Sequence, residues 1–151
     1  NVSDTTATST ADQAKAALTA NPDISVVFAP YDEFARGVKL AANDLGIASK
    51  LQIYSADVST ADIQEITEEG SPWVATVATH PAVVGAVSVR AAALQIAGED
   101  VPHNITVKPT LLTQAALRSA NVKTIEDLAK KLPEFNTSDV VTAPWIPAKL
   151  F

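Results

Sequence analysis

The stretch that most constrains this chain is Ile24 to Gly37, ISVVFAPYDEFARG. A short apolar run, Ile24 to Ala29, passes through Pro30-Tyr31-Asp32 into a segment whose apolar residues recur at helical spacing, Phe34, Val38, Ala41 and Leu45. A buried strand feeding directly into an amphipathic helix is the signature of a parallel α/β unit. The same grammar recurs twice. Leu51 to Ala56 ends on Asp57, and Trp73 to Ala78 ends on Thr79-His80. Polar groups at the carboxyl ends of parallel strands stand where open α/β sheets bind ligands. Three successive strand ends with polar side chains therefore predict half of a binding cleft.

The rest of the chain fits around these units. A helix capped by Ser9 or Thr10 runs to about Ala20, with Asp12 in its first turn and Ala14, Ala17 and Leu18 turned inward, and Asn21-Pro22-Asp23 stops it. Asn1 to Thr10 reads as a frayed edge strand or a disordered lead-in. The helix opened by Asp32 and Glu33, read as N-cap and first-turn acid, ends near Gly46. Ser59 or Thr60 caps a helix with Ile63 and Ile66 inward, and Gly70-Ser71-Pro72 breaks it. Pro81 begins a helix rich in small residues that runs to about Ala97. A strand over Asn104–Lys108 and a short one at Leu111-Leu112 follow. Two helices then cover about Gln114–Ala120 and Thr124–Lys131, the second with Asp127 at the capping-box position. Phe135, Trp145, Ile146 and Phe151 punctuate a Pro-containing tail, more large apolar groups than a solvated tail carries. The tail is expected to lie in a groove with Trp145 as its anchor. The order of elements predicts an α/β fold with an open parallel sheet and right-handed crossovers.

Composition excludes several functions. A net charge of −6 over 151 residues disfavours nucleic acid and anionic membrane surfaces as partners. There is no cysteine, hence no disulfide or thiol chemistry, and two histidines without clustered carboxylates predict no metal site. No phosphate-binding loop, dinucleotide fingerprint or nucleophile motif occurs, so no cofactor is expected and the chain does not read as an enzyme. There is no Met, so Asn1 reads as the start of a processed piece of something longer.

With these residues in view, NPDISVVFAPYDEFARGVKLAANDLG resembles a segment of the type I periplasmic sugar-binding proteins, in particular the ribose-type receptors of bacterial ABC importers. IYSAD and WVATVATHPAVVGAVSVRAAALQIAGEDV resemble the following segments of that family, in the same order and spacing. The resemblance implies the carboxyl-terminal portion of a two-lobed, exported receptor that closes over a monosaccharide, polyol or similar small polar molecule. It also implies membrane transporter subunits as partners. The sheet implied is the open, doubly wound parallel sheet of the type I fold. Carried over residue by residue, the ligand-binding positions are Tyr31, Asp57 and Thr79. Tyr31 stands where Asn is usual, Thr79 stands where Gln is common, and Asp57 matches. Asp32 is a fourth candidate. The competing reading is a turn residue for Asp57 and a hinge residue for Thr79.

The resemblance further divides the chain into a carboxyl-lobe α/β segment over 1–80, a crossover helix and strand of the other lobe over 81–109, and a return segment with tail over 110–151. The amino-terminal lobe has no counterpart, so that lobe or a second copy of the chain is expected as a partner. Arg36 and Arg90 are read as making surface or interlobe contacts, Trp73 as an edge or core-rim residue, and His80 as a surface or hinge residue. Effector domains of LacI-type regulators share the fold and form the alternative. A flavodoxin-like enzyme or signalling domain would need a phosphate-binding loop or an acidic phosphoacceptor cluster; Asp32 and Asp57 could mimic the cluster, but no suitably placed Lys follows a later strand.

Overall fold

The computed structural model describes residues 3, 5–136 and 138–146. Its centre is a four-stranded sheet in the order β1 (Val26–Ala29), β2 (Gln52–Ala56), β3 (Trp73–Ala78), β4 (Thr110–Thr113). The first three strands are parallel and in sequence order, pairing Val27 with Ile53 and Ala29 with Ser55, then Ser55 with Thr76. A register irregularity at Ile53/Tyr54 shifts the β2–β3 pairing. The last strand departs from the all-parallel expectation. β4 runs antiparallel to β3, pairing Thr110 with Ala78 and Thr113 with Ala75.

Among the described residues six α-helices accompany the sheet: α1 (Thr6–Ala20), α2 (Asp32–Asp44), α3 (Thr60–Thr67), α4 (Pro81–Ile96), α5 (Gln114–Ser119) and α6 (Ile125–Lys131). One face of the sheet carries the core. Ile53, Trp73 and Leu112 are fully buried there against Ala35, Ala41, Ile63, Ile66, Leu117 and Leu128 from α2, α3, α5 and α6. The other face is bare: Phe28 and Leu111 are 65% and 63% exposed, and Val26, Tyr54 and Val77 are exposed beside them. A parallel sheet is ordinarily covered on both faces.

Several expectations change on folding. α1 begins at Thr6, four or five residues before the predicted start, so Asp12 lies outside its first turn and Thr5, not Ser9 or Thr10, is the N-cap. Thr6 is buried and Thr10 packs on Gly37, so tertiary contact outweighs the poor helix propensity of threonine. The buried stripe of α1 is Thr6, Ala11 and Leu18, and Ala17 is exposed. Buried positions in α2 are Ala35, Gly37, Val38, Lys39, Ala41 and Ala42, whereas Leu45 is exposed. The helix is wedged between sheet and α1, so its small residues sink furthest.

Residues 104–108 form no strand. Pro102 and Pro109 bracket them, and no described neighbour offers a ladder. Trp73 is not a rim residue. It is fully buried and its Nε1–H donates to Ser55 Oγ at 2.9 Å, which satisfies both polar groups.

The Ser59 cap is a complete capping box with Asp62. At α6, Thr124 Oγ1 accepts from Asp127 N–H at 3.1 Å, but the Asp127 carboxylate accepts from Lys123 N–H at 3.2 Å, so only half a box forms. The carboxyl end of α3 is closed from α5. Gln114 Nε2 donates to the carbonyls of Ile66, Ser71 and Trp73 at 2.7, 3.1 and 3.1 Å, and Arg118 donates to those of Thr67 and Glu68. The carbonyls of Ile66, Thr67 and Glu68 are helix-end acceptors that would otherwise lack partners.

The described part of the tail packs against α4 and its flanks, through Phe135 and Ile146 rather than through Trp145, which is 54% exposed. Phe135 is buried with its ring against His80, centroids 5.1 Å apart, and Ile146 is buried. Arg90 of α4 is buried rather than at the surface, donating to the carbonyls of Ser138 and Val140 at 3.1 and 2.9 Å. Trp145 Nε1–H donates to Glu99 at 2.7 Å. Phe151 lies outside the described residues. No helix among the described residues is long and apolar enough to cross a membrane.

Candidate functional site

Tyr31 and Asp32 follow β1, Asp57 follows β2 and Thr79 follows β3. Because these three strands are adjacent and parallel, all four residues belong to one edge of the sheet. This is the carboxyl edge, the ligand edge of open α/β sheets.

Tyr31 is the backbone N-cap of α2, in extended conformation, and its side chain makes no capping bond. A short polar side chain at this position would serve the helix, so its replacement by a ring frees the position for other contacts. The half-buried ring stands edge-on to Phe34 with centroids 5.6 Å apart. Its phenol is held above the ordinary value by neighbouring acids, Asp32 foremost, then by desolvation, Glu33, Asp57 and Asp62. Asp32 is the first residue of α2 and not its cap. Its Oδ1 accepts the Glu33 N–H at 2.7 Å. Burial, a hydrogen bond to Asp62 and the charges of Asp62 and Asp57 raise its carboxyl to about 7.

Asp57 has a left-handed backbone, φ 78°. Such a conformation is uncommon outside glycine, although Asp and Asn tolerate it best. It is held from both sides: its N–H donates to Val77 O at 2.8 Å, and its carbonyl accepts from Thr76 Oγ1 at 2.7 Å. The side chain is exposed at the edge, and Oδ1 accepts the Val58 N–H at 2.9 Å. The fold thus fixes the Asp57 backbone while the residue stays exposed. Thr79 is half-buried between β3 and the start of α4. His80 caps α4, its Nδ1 accepting the Ala82 N–H at 3.1 Å, which accounts for it structurally.

The electrostatic coupling ties Tyr31, Asp32 and Asp57 into one acidic group, with Asp62 as an unforeseen fourth member. The Ser59-x-x-Asp62 spacing marks Asp62 as a capping residue, but only the packing of α2 against α3 brings it to Asp32. Thr79 joins the group by strand order alone. Arg36 lies beneath the edge, its Nη1 donating to Glu33 at 2.7 Å and its Nε to Glu65 at 2.8 Å. An apolar hollow of about 280 Å³, lined by Leu18, Pro22, Ile24, Leu45, Ile47 and Leu51 among others, opens at the opposite end of the strands. It is distinct from this edge. Among the described residues no group of His, Cys, Asp and Glu is arranged to hold a metal.

No curated protein matches the sequence. Solved structures do. The solute-binding protein of a 5-methylthioribose transporter from Thermotoga lettingae, in complex with 5-methylthioribose, superposes with a TM-score of 0.84 at 38% identity over 92% of this chain and 44% of that one. A sugar ABC transporter protein from Yersinia enterocolitica gives 0.78 at 32% identity over 91% of this chain and 42% of that one. A solute-binding protein from Agrobacterium vitis with bound allitol gives 0.71 at 23% identity over 80% and 42%, and shares the fold. The chain thus spans less than half the length of these relatives. They are transport proteins, which does not favour the regulator reading. The periplasmic binding protein domain matches residues 1–100, two-thirds of the sequence. On that match and the shared type I α/β architecture, this chain belongs to the periplasmic binding protein family.

Proposed function

We propose that this chain is the carboxyl-terminal portion of the solute-binding component of an ABC importer for a monosaccharide, polyol or similar small polar molecule. The observation that carries the reading is the common edge of Tyr31, Asp57 and Thr79 at three adjacent parallel strand ends, in a chain of this family. The Asp57 carboxylate accepts hydroxyls of the solute, the Tyr31 ring offers a face for sugar C–H groups, and Thr79 adds a hydroxyl. Asp32 lies behind Tyr31 and has a lesser direct role.

Capture is reversible and involves no catalysis. Ligand bridges two lobes, and its preference for the closed form sets how far closure proceeds. The transporter's membrane subunits recognise that form at the outer face of an exported, periplasmic location. Residues 81–109 belong to the second lobe, and the bare sheet face and free edge of β1 are covered by the remainder of the receptor or by a second copy.

Calorimetry on the full-length receptor tests this, with a panel of pentoses, hexoses, alditols and 5-methylthioribose, the last being the ligand of the Thermotoga relative. One panel member should bind, and Asp57→Ala should weaken it about 100-fold or more, since each charge-assisted hydrogen bond contributes ~1.5–3 kcal/mol. The 151-residue chain alone, with half a cleft, should bind weakly or not at all. Undiminished binding by Asp57→Ala, or micromolar binding by this chain alone, overturns the reading.

A further inference from the structure

The buried apolar residues of α4, Val83, Val87 and Leu94, stand apart from the core cluster beneath the sheet. Three contacts tie the helix to the tail, one at each end and one between. At its start the His80 ring meets Phe135, centroids 5.1 Å apart and planes at 64°. Midway, Arg90 Nη2 donates to the carbonyls of Ser138 and Val140 at 3.1 and 2.9 Å. Past its end, Glu99 accepts from Trp145 Nε1–H at 2.7 Å. The tail thus follows α4 from its cap to beyond its last turn, in the same direction as the helix.

Of these tail groups, Phe135 also belongs to the core. It is buried in the cluster that includes Leu117, Val122 and Leu128. The short turn that carries it, Pro133–Asn136, follows α6 after one residue, and the Phe135 N–H donates to the Leu132 carbonyl at 3.0 Å. One ring therefore joins the body of the molecule to the cap of α4. A side chain packed in a core has little room to move, so a group resting on it is held as firmly.

That cap adjoins Thr79. The residue before Thr79 is fixed in the sheet, Ala78 opposite Thr110. The residue after it is His80, which Pro81 confines to extended backbone, φ −72° and ψ 122°. The cap itself uses one ring nitrogen, His80 Nδ1, which accepts the Ala82 N–H at 3.1 Å. A short acceptor such as Asn would cap as well. What an imidazole adds is an aromatic ring for Phe135, and tilted aromatic pairs at this separation attract beyond the area they bury. Thr79 is therefore set from both sides, by the ladder at Ala78 and by the seat of the His80 ring.

We propose that Phe135 is a positioning residue of the candidate site. It seats the His80 ring and thereby fixes Thr79 at the ligand edge, while the contacts at Arg90 and Glu99 clasp the rest of the tail along α4. The proposal rests on the functional reading only in taking this edge as the ligand edge.

Amide residual dipolar couplings of the 151-residue chain test the seat without any ligand. In the parent, one alignment should fit β1, β2 and β3 together with the amides of residues 79, 80 and 82–84. In Phe135→Leu, which keeps apolar bulk and removes the ring, the strands should still fit while those five amides depart from the parent orientation. A loss of stability alone leaves the couplings of the folded molecules unchanged. Amides that keep the parent orientation in Phe135→Leu overturn the proposal. Should Phe135→Leu fail to fold, His80→Asn serves in its place, since it keeps a cap acceptor and removes the ring. A role in capping alone would then leave the couplings of residues 82–84 unchanged, and that result refutes the seat. Calorimetry on the full-length receptor, with pentoses, hexoses, alditols and 5-methylthioribose, reads the consequence for the site. Phe135→Leu should weaken the solute captured by the parent about 3- to 10-fold, the worth of one neutral hydrogen bond. Undiminished capture refutes the role of Phe135 in the site. A receptor that captures no member of the panel, while the five amides still move in Phe135→Leu, refutes the functional reading and leaves the seat standing.

Discussion

Glycine at position 37 offers a test of how closely α1 and α2 are fitted. Gly37 lies mid-helix, where glycine costs about 1 kcal/mol relative to alanine. An added Cβ would stand 2.6 Å from the Ala7 carbonyl oxygen, 2.6 Å from Thr10 Cβ and 2.9 Å from Thr10 Cγ2. Ordinary contacts of this kind are ~3.5–4.0 Å, so α1 must retreat by about 1 Å. The nearest obstacle is backbone and cannot rotate aside. Overpacking of this sort costs about 1–3 kcal/mol, which exceeds the propensity gain. Gly37→Ala should therefore destabilise the chain by up to about 2 kcal/mol once that gain is subtracted.

Gly85 supplies the control. It is also mid-helix, in α4, and a Cβ there meets nothing within 4 Å. Gly85→Ala should keep the whole propensity gain and stabilise by about 0.5–1 kcal/mol. Urea denaturation of the two variants beside the parent, at constant m-value, reads both effects. The pair must differ in sign. A Gly37→Ala chain as stable as the parent would mean that the helices do not approach this closely, and the reasoning fails.

Other outcomes follow from the same geometry. The Asp32 carboxyl lies near 7 in the folded chain and near 3.8 when unconstrained, so the folded state holds the extra proton between those values. Stability should therefore fall as pH rises from about 4 to 7, and flatten above. The full shift corresponds to about 4 kcal/mol, reduced by solvent screening at this half-exposed site to about 1–2 kcal/mol. Subtracting the Asp32→Asn profile isolates it, and a rising difference would contradict the sign. Asp57→Gly should stabilise by about 1 kcal/mol by relieving the left-handed backbone, while removing solute capture in the full-length receptor. Thermal melting and calorimetry on one preparation check both halves. Gln114→Ala strips partners from three carbonyls and should cost about 1–3 kcal/mol, read as a fall in urea midpoint. A change below about 0.5 kcal/mol would show that water replaces the amide.

How much of this was legible beforehand depended on how local the cause was. Trp73–Ala78 was readable to the residue because Pro72 and the Thr79-His80-Pro81 turn bound it on both sides. Ser59 or Thr60 announced the start of α3, and the cap falls on Ser59, whose Asp62 partner is three residues along. The three strand ends were readable for the same reason, each following directly from its own strand. What the sequence concealed depends on contacts between distant elements. Thr6 is helical because α2 lies beside it, and Arg90 is buried because a tail some fifty residues later crosses α4. The direction of β4 depends on where a long excursion returns, which apolar spacing cannot state. Asp62 went unread, although its spacing from Ser59 is local, and its influence on Asp32 depends on the packing of two helices.

The antiparallel pairing of β4 with β3 has one more consequence. Ala78 and Thr110 face each other across the ladder, so the chain departs from the sheet and re-enters it at the same corner. Residues 79–109 therefore form a closed detour fixed by two neighbouring posts. Swinging or lengthening that detour breaks no ladder hydrogen bond within the sheet, and the restraints it strains include those to the tail, His80 on Phe135, Arg90 on the Ser138 and Val140 carbonyls and Glu99 on Trp145. Evolution could enlarge or reshape everything beyond the two posts while the sheet beneath stayed unchanged.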